Sequence, residues 1–318
     1  MHKPLLQKIA TAYRANPLLF WIRVIIVGAV VALFILKRNF WTPDTLFLIM
    51  LAVAVVFGQA RQFIYRFLPF VGLLLVYDSF RGIADDLNST VHYVEMIHAD
   101  QLLFGGSLPT VVLQQWWWHG GVQWFDFYFY LLYTMHFAVP IILAVLIWKL
   151  RDSLYWPFVC ALLLLSFSGF VTYVLFPAAP PWLASDQGLI PQIHRISSDI
   201  WYAMGITNFS EVYNSLSPNK VAAVPSLHAA YPLLFLLFAT KLWGWRKVWW
   251  LAIYPVSIWI GIVYLGEHYV IDAILGALYA LAAYHITMLL FAWKNRRGIK
   301  VKAGLRRGWT KLTSHHPA

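Results

Sequence analysis

Eight long apolar runs, at about 18–36, 44–57, 62–80, 124–148, 155–176, 226–243, 248–265 and 268–293, dominate this 318-residue chain. Runs of that length and polarity read as membrane spans. In hydrocarbon every backbone N–H and C=O must pair within the protein, so such runs must be helices or a closed barrel. The unbroken apolar stretches, without a two-residue alternation, select helices. The composition agrees: 61% of residues are hydrophobic and 12% charged, and mean hydropathy is +0.65. The expected fold is all-α, a polytopic membrane protein with about eight transmembrane helices. The first run lacks a small-residue cleavage site and more spans follow it, so it reads as a helix rather than a cleaved leader.

The segments between the runs carry the remaining information. Residues 81–123 and 177–224 are too polar to span; the first is expected to fold as short helices on the membrane surface. The second opens with Pro177-Ala178-Ala179-Pro180-Pro181-Trp182, a stiff extended stretch. Residues 294–318 form a basic tail suited to anionic lipid. The net charge of +11 could suggest nucleic acid, but its distribution follows membrane topology. With both termini inside, 19 of the 24 Lys and Arg residues fall on the cytoplasmic side. No nucleic-acid partner is expected. The aromatic content, 18%, suits interfacial belts, densest at Trp116-Trp117-Trp118. The single cysteine, Cys160, is expected as a small core residue.

Ionisable residues at the edge of a span are costly and point to function. His268 and Asp272 are four residues apart, so on a helix they share a face. An Asp there can hold the imidazole by one nitrogen and leave the other free to attack. Upstream, Pro225-Ser226-Leu227-His228 opens another apolar run with a helix-start signal. The charge topology puts His228, His268 and Asp272 at one extracytoplasmic face, with both termini cytoplasmic. Ser226 is a candidate N-cap and phosphate contact at a helix start. Arg81, which ends the third run, is a candidate phosphate clamp or a snorkelling interfacial residue. Lys220, five residues before Pro225, is a second candidate. His92, Glu95 and His98 read as surface polar residues, since their flanks match no zinc motif. His136, inside the fourth run, reads as an interhelical hydrogen-bonder. Ala273, Gly276, Ala277 and Ala280 form a small-residue stripe for close helix packing.

Pro225-Ser226-Leu227-His228 and His268-x3-Asp272 resemble two signatures of the type 2 phosphatidic acid phosphatase superfamily. The Ser-Leu-His form, the pair His268-Tyr269 and the element Ala179-Pro180-Pro181-Trp182 are closest to its inositol phosphorylceramide synthase branch. The resemblance implies a six-helix catalytic core, 61–293, with two additional N-terminal helices in 1–60 and extracytoplasmic loops 81–123 and 177–224. It implies catalysis without metal or other cofactor. His268 would attack phosphorus and form a phosphohistidine, Asp272 would orient it, and His228 would serve as acid and then base. It also places Tyr269 with the substrate-binding positions. The superfamily's phosphatases carry an Arg-Pro signature, absent from this chain, and an arginine six residues before the nucleophile, where Ile262 stands. Fewer cations suit a singly charged phosphodiester, because a site matches the charge that it stabilises. The expected activity is therefore phosphotransfer from a phospholipid donor to a lipid alcohol. A lipid phosphate phosphatase, with water as acceptor, and a non-catalytic lipid-binding or transport protein are the alternatives.

Overall fold

The computed structural model describes residues 10–11, 13–36, 43–81, 87–136, 138–207 and 219–313. Each apolar run is helical: α1 (Pro17–Leu36), α2 (Pro43–Val56), α3 (Ala60–Arg81), then after the first polar segment α6 (Trp124–Thr134), α7 (Ala138–Leu150) and α8 (Tyr155–Leu175). Among its described residues the polar segment 81–123 includes the short helices α4 (Val94–Leu103) and α5 (Pro109–Trp117). Segment 177–224 holds α9 (Pro181–Asp186) and α10 (Ile196–Ala203), and α11 (Leu227–Trp243), α12 (Ile253–Tyr264) and α13 (Val270–Thr313) complete the chain. Four of these helices, α1, α2, α5 and α9, begin on a proline, whose missing N–H is unneeded in a first turn.

Among the described residues four helical stretches are long and apolar enough to cross a membrane: Ala60–Phe80, Asp152–Leu175, Trp245–Tyr264 and Val270–Arg296. The pair α6–α7 makes a fifth if it counts as one span, although it bends by 56°. Shorter apolar helices occupy the other three predicted positions. The protein is an all-helical, multi-pass membrane protein.

One expectation is corrected: the run 124–148 is not one straight helix, because Pro140 cannot donate to the carbonyl of residue 136 and its ring crowds that turn. The last helix runs on beyond its apolar part, through the basic residues that follow, to Thr313.

The core lies where α3, α7, α8, α11 and α13 meet, around Phe67, Phe70, Leu143, Ile147, Leu165, Leu234, Phe238 and Ala280. Cys160 is not part of it; the residue lies exposed on α8. The small-residue stripe behaves as predicted. Ala273, Gly276 and Ala280 are buried, and Gly276 lies against the Ser226 backbone. Omitting side-chain bulk there lets α13 approach the start of α11 at backbone distance.

The two polar segments are stitched together above these helices. Ala178 pairs with His92 on one side and Ala222 on the other. The His92 N–H donates to Pro177 O at 2.8 Å, and the Ala178 N–H to Val221 O at 2.8 Å. The proline-rich stretch is extended, as its prolines dictate, and so offers both backbone edges for pairing.

Candidate active site

The start of α13 is fixed from three directions. The Asp272 carboxylate accepts from the Tyr269 N–H at 2.9 Å, and its carbonyl accepts from the Ser226 N–H at 3.0 Å. Asp100 on α4 reaches across 170 residues to accept from the Val270 and Ile271 N–H groups, at 3.0 and 2.9 Å. A carboxylate at a helix N-terminus satisfies orphan donors and complements the helix dipole. The turn before it, at Gly266, needs a positive φ of 80° and passes close to the His194 carbonyl. Gln114 clamps that turn. Its amide donates to the carbonyls of His194 and Tyr264, and its oxygen accepts from the His194 N–H, all at 2.8 Å.

Asp100 was given no role by sequence reading. It is fully buried, and sequence offers no signal for a cap supplied from so far away. Burial, opposed by the two N–H donors and reinforced by Asp272, raises its pKa to about 6. A raised acid stabilises the fold fully below its unfolded value and loses that contribution as pH rises through the folded value. Wild-type thermal stability is therefore expected to fall between about pH 4 and pH 6. Asp100→Asn keeps an acceptor oxygen and cannot ionise, so its melting temperature should lack this decline. An unchanged decline in the variant would remove Asp100 as its cause.

Within this frame the structure brings together His228, His268 and Asp272. His268 Nδ1 is 3.3 Å from Asp272 Oδ2, and His268 Nε2 is 3.3 Å from His228 Nδ1. The ring centres of the two histidines are 5.5 Å apart. An ionised Asp272 would only accept, which would put the proton of His268 on Nδ1 and a lone pair on Nε2. His228 Nδ1 must then be the donor at that junction. The arrangement can supply a nucleophile, an orienting carboxylate and a proton donor to one phosphorus atom. His268 and Asp272 are almost completely buried, 5% and 0% exposed, which limits competing water.

The other candidates divide. Ser226 is buried and caps α11, its Oγ accepting from the Ala229 N–H at 3.3 Å. Lys220 is exposed and borders the cavity in front of His268. Tyr269 does not border that cavity; it is buried in a cluster with Met96, Ile97, Ile190 and Ile193. Arg81 ends α3, and its side chain lies outside the described residues. Ile262 is fully buried among Ala229, Ile258 and Ala273, and its carbonyl accepts from the Glu267 and His268 N–H groups at 3.1 Å. That position shapes the turn and contributes no cation.

Sequence reading gave Tyr133 and Glu267 no role, and His136 a different one. Tyr133 stacks on the His228 ring with centres 4.1 Å apart, and His136 meets it edge-on at 4.2 Å. The bend between α6 and α7 brings His136 to the cavity, so its place is beside the site rather than in an interhelical bond alone. Glu267, 4% exposed, binds Arg195 through Oε1 at 3.1 Å and Oε2 at 3.4 Å, and also accepts from Ser197 Oγ. Arg195 in turn lies 3.8 Å from the ring centre of Trp182. His92 pairs with Glu95 at 2.7 Å and stacks on Phe176, away from the cavity. Among the described residues no group of three His, Cys, Asp or Glu side chains could hold a metal ion.

Comparison with known proteins agrees with the signatures. Residues 95–286 match the family model described as the PAP2 superfamily. The phosphoinositol dihydroceramide synthase of Bacteroides thetaiotaomicron is 28% identical over 235 residues, covering 70% of this chain and 76% of that one. The inositol phosphorylceramide synthase of Candida albicans is 26% identical over 276 residues, 79% of this chain, which spans about half, 54%, of the Candida protein. The catalytic subunit of the Saccharomyces cerevisiae inositol phosphorylceramide synthase is 21% identical, covering 84% and 67%. No solved structure matches the chain.

Proposed function

The chain belongs to the PAP2 superfamily, and from that premise we propose that it is a lipid phosphotransferase working through a phosphohistidine, in the manner of an inositol phosphorylceramide synthase. The observation that carries this is His268 Nε2 facing His228 Nδ1 while Asp272 holds Nδ1. His268 attacks phosphorus and forms a P–N bond. The bond to the donor's glycerol oxygen breaks, and the proton of His228 Nδ1 goes to that oxygen. Asp272 stabilises the imidazolium that results, the part played by the acid in a Ser-His-Asp triad. A lipid alcohol then enters, His228 takes its proton, and the alkoxide displaces His268. Each proton transfer contributes about 10²–10⁴-fold. The donor class is a phospholipid and the acceptor a lipid hydroxyl. Residues 61–293 form the catalytic core in this reading, with 1–60 outside it and 294–318 as its tail. The site opens on the extracytoplasmic side and both termini are cytoplasmic, which labelling of single cysteines near each end and in 177–224 can test.

The direct experiment is incubation of the full chain in lipid with labelled phosphatidylinositol and a panel of alcohols, ceramide and diacylglycerol among them. A new labelled phospholipid is the expected product. With few cations at the site, phosphatidylinositol should be consumed faster than phosphatidic acid, whose phosphate is nearly a dianion. Rapid release of inorganic phosphate from phosphatidic acid, with transfer to no alcohol, would replace the transferase by a phosphatase.

A further inference from the structure

The cavity in front of His268 and His228 is also bordered by Trp182, Asn219, Lys220 and Glu267. Trp182 and Asn219 are 8% and 4% exposed. The indole N–H of Trp182 and the side-chain amide nitrogen of Asn219 are buried and find no hydrogen-bond partner among the described residues. Buried donors without partners are uncommon, because desolvating them is costly, and each calls for an explanation. Two of them beside one reactive histidine call for a common one. We infer that these two N–H groups hold the non-bridging oxygens of the phosphate during transfer, an assignment that rests on the phosphohistidine reading above.

Both side chains are otherwise anchored. Asn219 Oδ1 accepts from the Val221 N–H at 2.9 Å, which fixes the amide plane and leaves its nitrogen as the spare end. The Trp182 backbone N–H donates to the Gly266 carbonyl at 3.0 Å, tying the indole to the turn that precedes the nucleophile. Pre-positioned donors of this kind need no reorganisation when charge develops on the phosphate, which is where such groups are most effective.

Charge selects the ligand. The exposed Lys220 borders the same cavity. The Arg195 charge is matched by Glu267, so it adds no net charge to the site. Its guanidinium against the Trp182 face instead polarises the indole and makes the N–H a stronger donor. Neutral donors with Lys220, the lysine that borders the cavity among the described residues, fit a phosphate bearing a single charge. A dianion in so buried a site would need further cations.

Two substitutions test this with little change of shape. Trp182→Phe keeps an aromatic ring under Arg195 and removes the N–H. Asn219→Asp keeps the acceptor for Val221 and turns the donor into a repelling oxygen. Each should lower kcat/KM for donor consumption by about 10- to 100-fold. The factor should be the same for phosphatidylinositol and phosphatidylglycerol, since both share the phosphodiester. Consumption of the donor counts transfer and hydrolysis alike, so the result does not depend on which acceptor is used. A measurement without turnover separates the two readings. Dihexanoyl phosphatidylinositol should raise the melting temperature of His268→Ala protein, and adding Asn219→Asp should remove that rise. Losses below about twofold, an effect on one headgroup only, or an undiminished thermal shift would overturn the assignment.

Discussion

Gly276→Ala is expected to lower lipid transfer by about 10²-fold or more, although residue 276 touches no substrate. A Cβ built there would overlap the Ser226 carbonyl oxygen and lie 3.2 Å from its carbon and 3.4 Å from its nitrogen. These are backbone atoms, which cannot rotate away as a side chain would. The two helices must therefore separate at the point where Ser226 N–H meets the Asp272 carbonyl. His228 lies two residues beyond Ser226, and His268 is held by Asp272. Separation at this contact thus opens the 3.3 Å junction between the histidines. A misplacement of about 1 Å is enough to cost ~10²-fold in rate. Overpacking should also cost stability, about 1–3 kcal/mol. Activity assays together with thermal unfolding check both effects. Wild-type turnover in Gly276→Ala would show that the helix contact does not govern the geometry.

The largest effect is expected at His268. In the proposed phosphohistidine mechanism His268→Ala removes the nucleophile, and donor cleavage should fall by about 10⁴-fold or more with every donor and acceptor. His228→Ala should differ in kind. It lacks the proton donor for the glycerol oxygen, so natural donors are cleaved slowly. A phosphodiester with a nitrophenol leaving group needs no protonation, so its first step should recover. Without a base for the second step, the phosphohistidine should then accumulate and be visible as an acid-labile adduct by mass spectrometry. A burst of nitrophenol in His228→Ala and none in His268→Ala is the expected pair of results. Equal bursts, or none in either, would break the assignment of roles.

How far the chain could be read in advance follows from the range of the interactions involved. The helices follow from local composition, and the His268–Asp272 pair is local too, one helical turn within a single segment. His228 was placed beside them by charge topology, because two spans and one turn connect the two signatures. The residues that escaped are all held by distant partners. Asp100 caps a helix 170 residues away, Glu267 is tied to Arg195, and Gln114 clamps the turn at Gly266. Tyr269 was misplaced for the opposite reason. It is adjacent to His268 in sequence, but the backbone turns between them and sends the ring into a buried apolar cluster. His136 depended on a bend that a hydropathy profile does not show, although Pro140 was the signal available for it.

The Asp100 cap also bears on when the enzyme becomes reactive. Chains are synthesised from the N-terminus, and α4 is made long before α13 exists. The N-terminus of α13 has its capping carboxylate only after the chain has folded back over that separation, and so distant a closure forms late. A partly made chain would therefore lack both supports that meet at the start of α13: the Asp272 carboxylate on His268, and the Asp272 carbonyl on the Ser226 N–H that precedes His228. Assembly order would then keep an unfinished enzyme, already among phospholipids, from cleaving its surroundings.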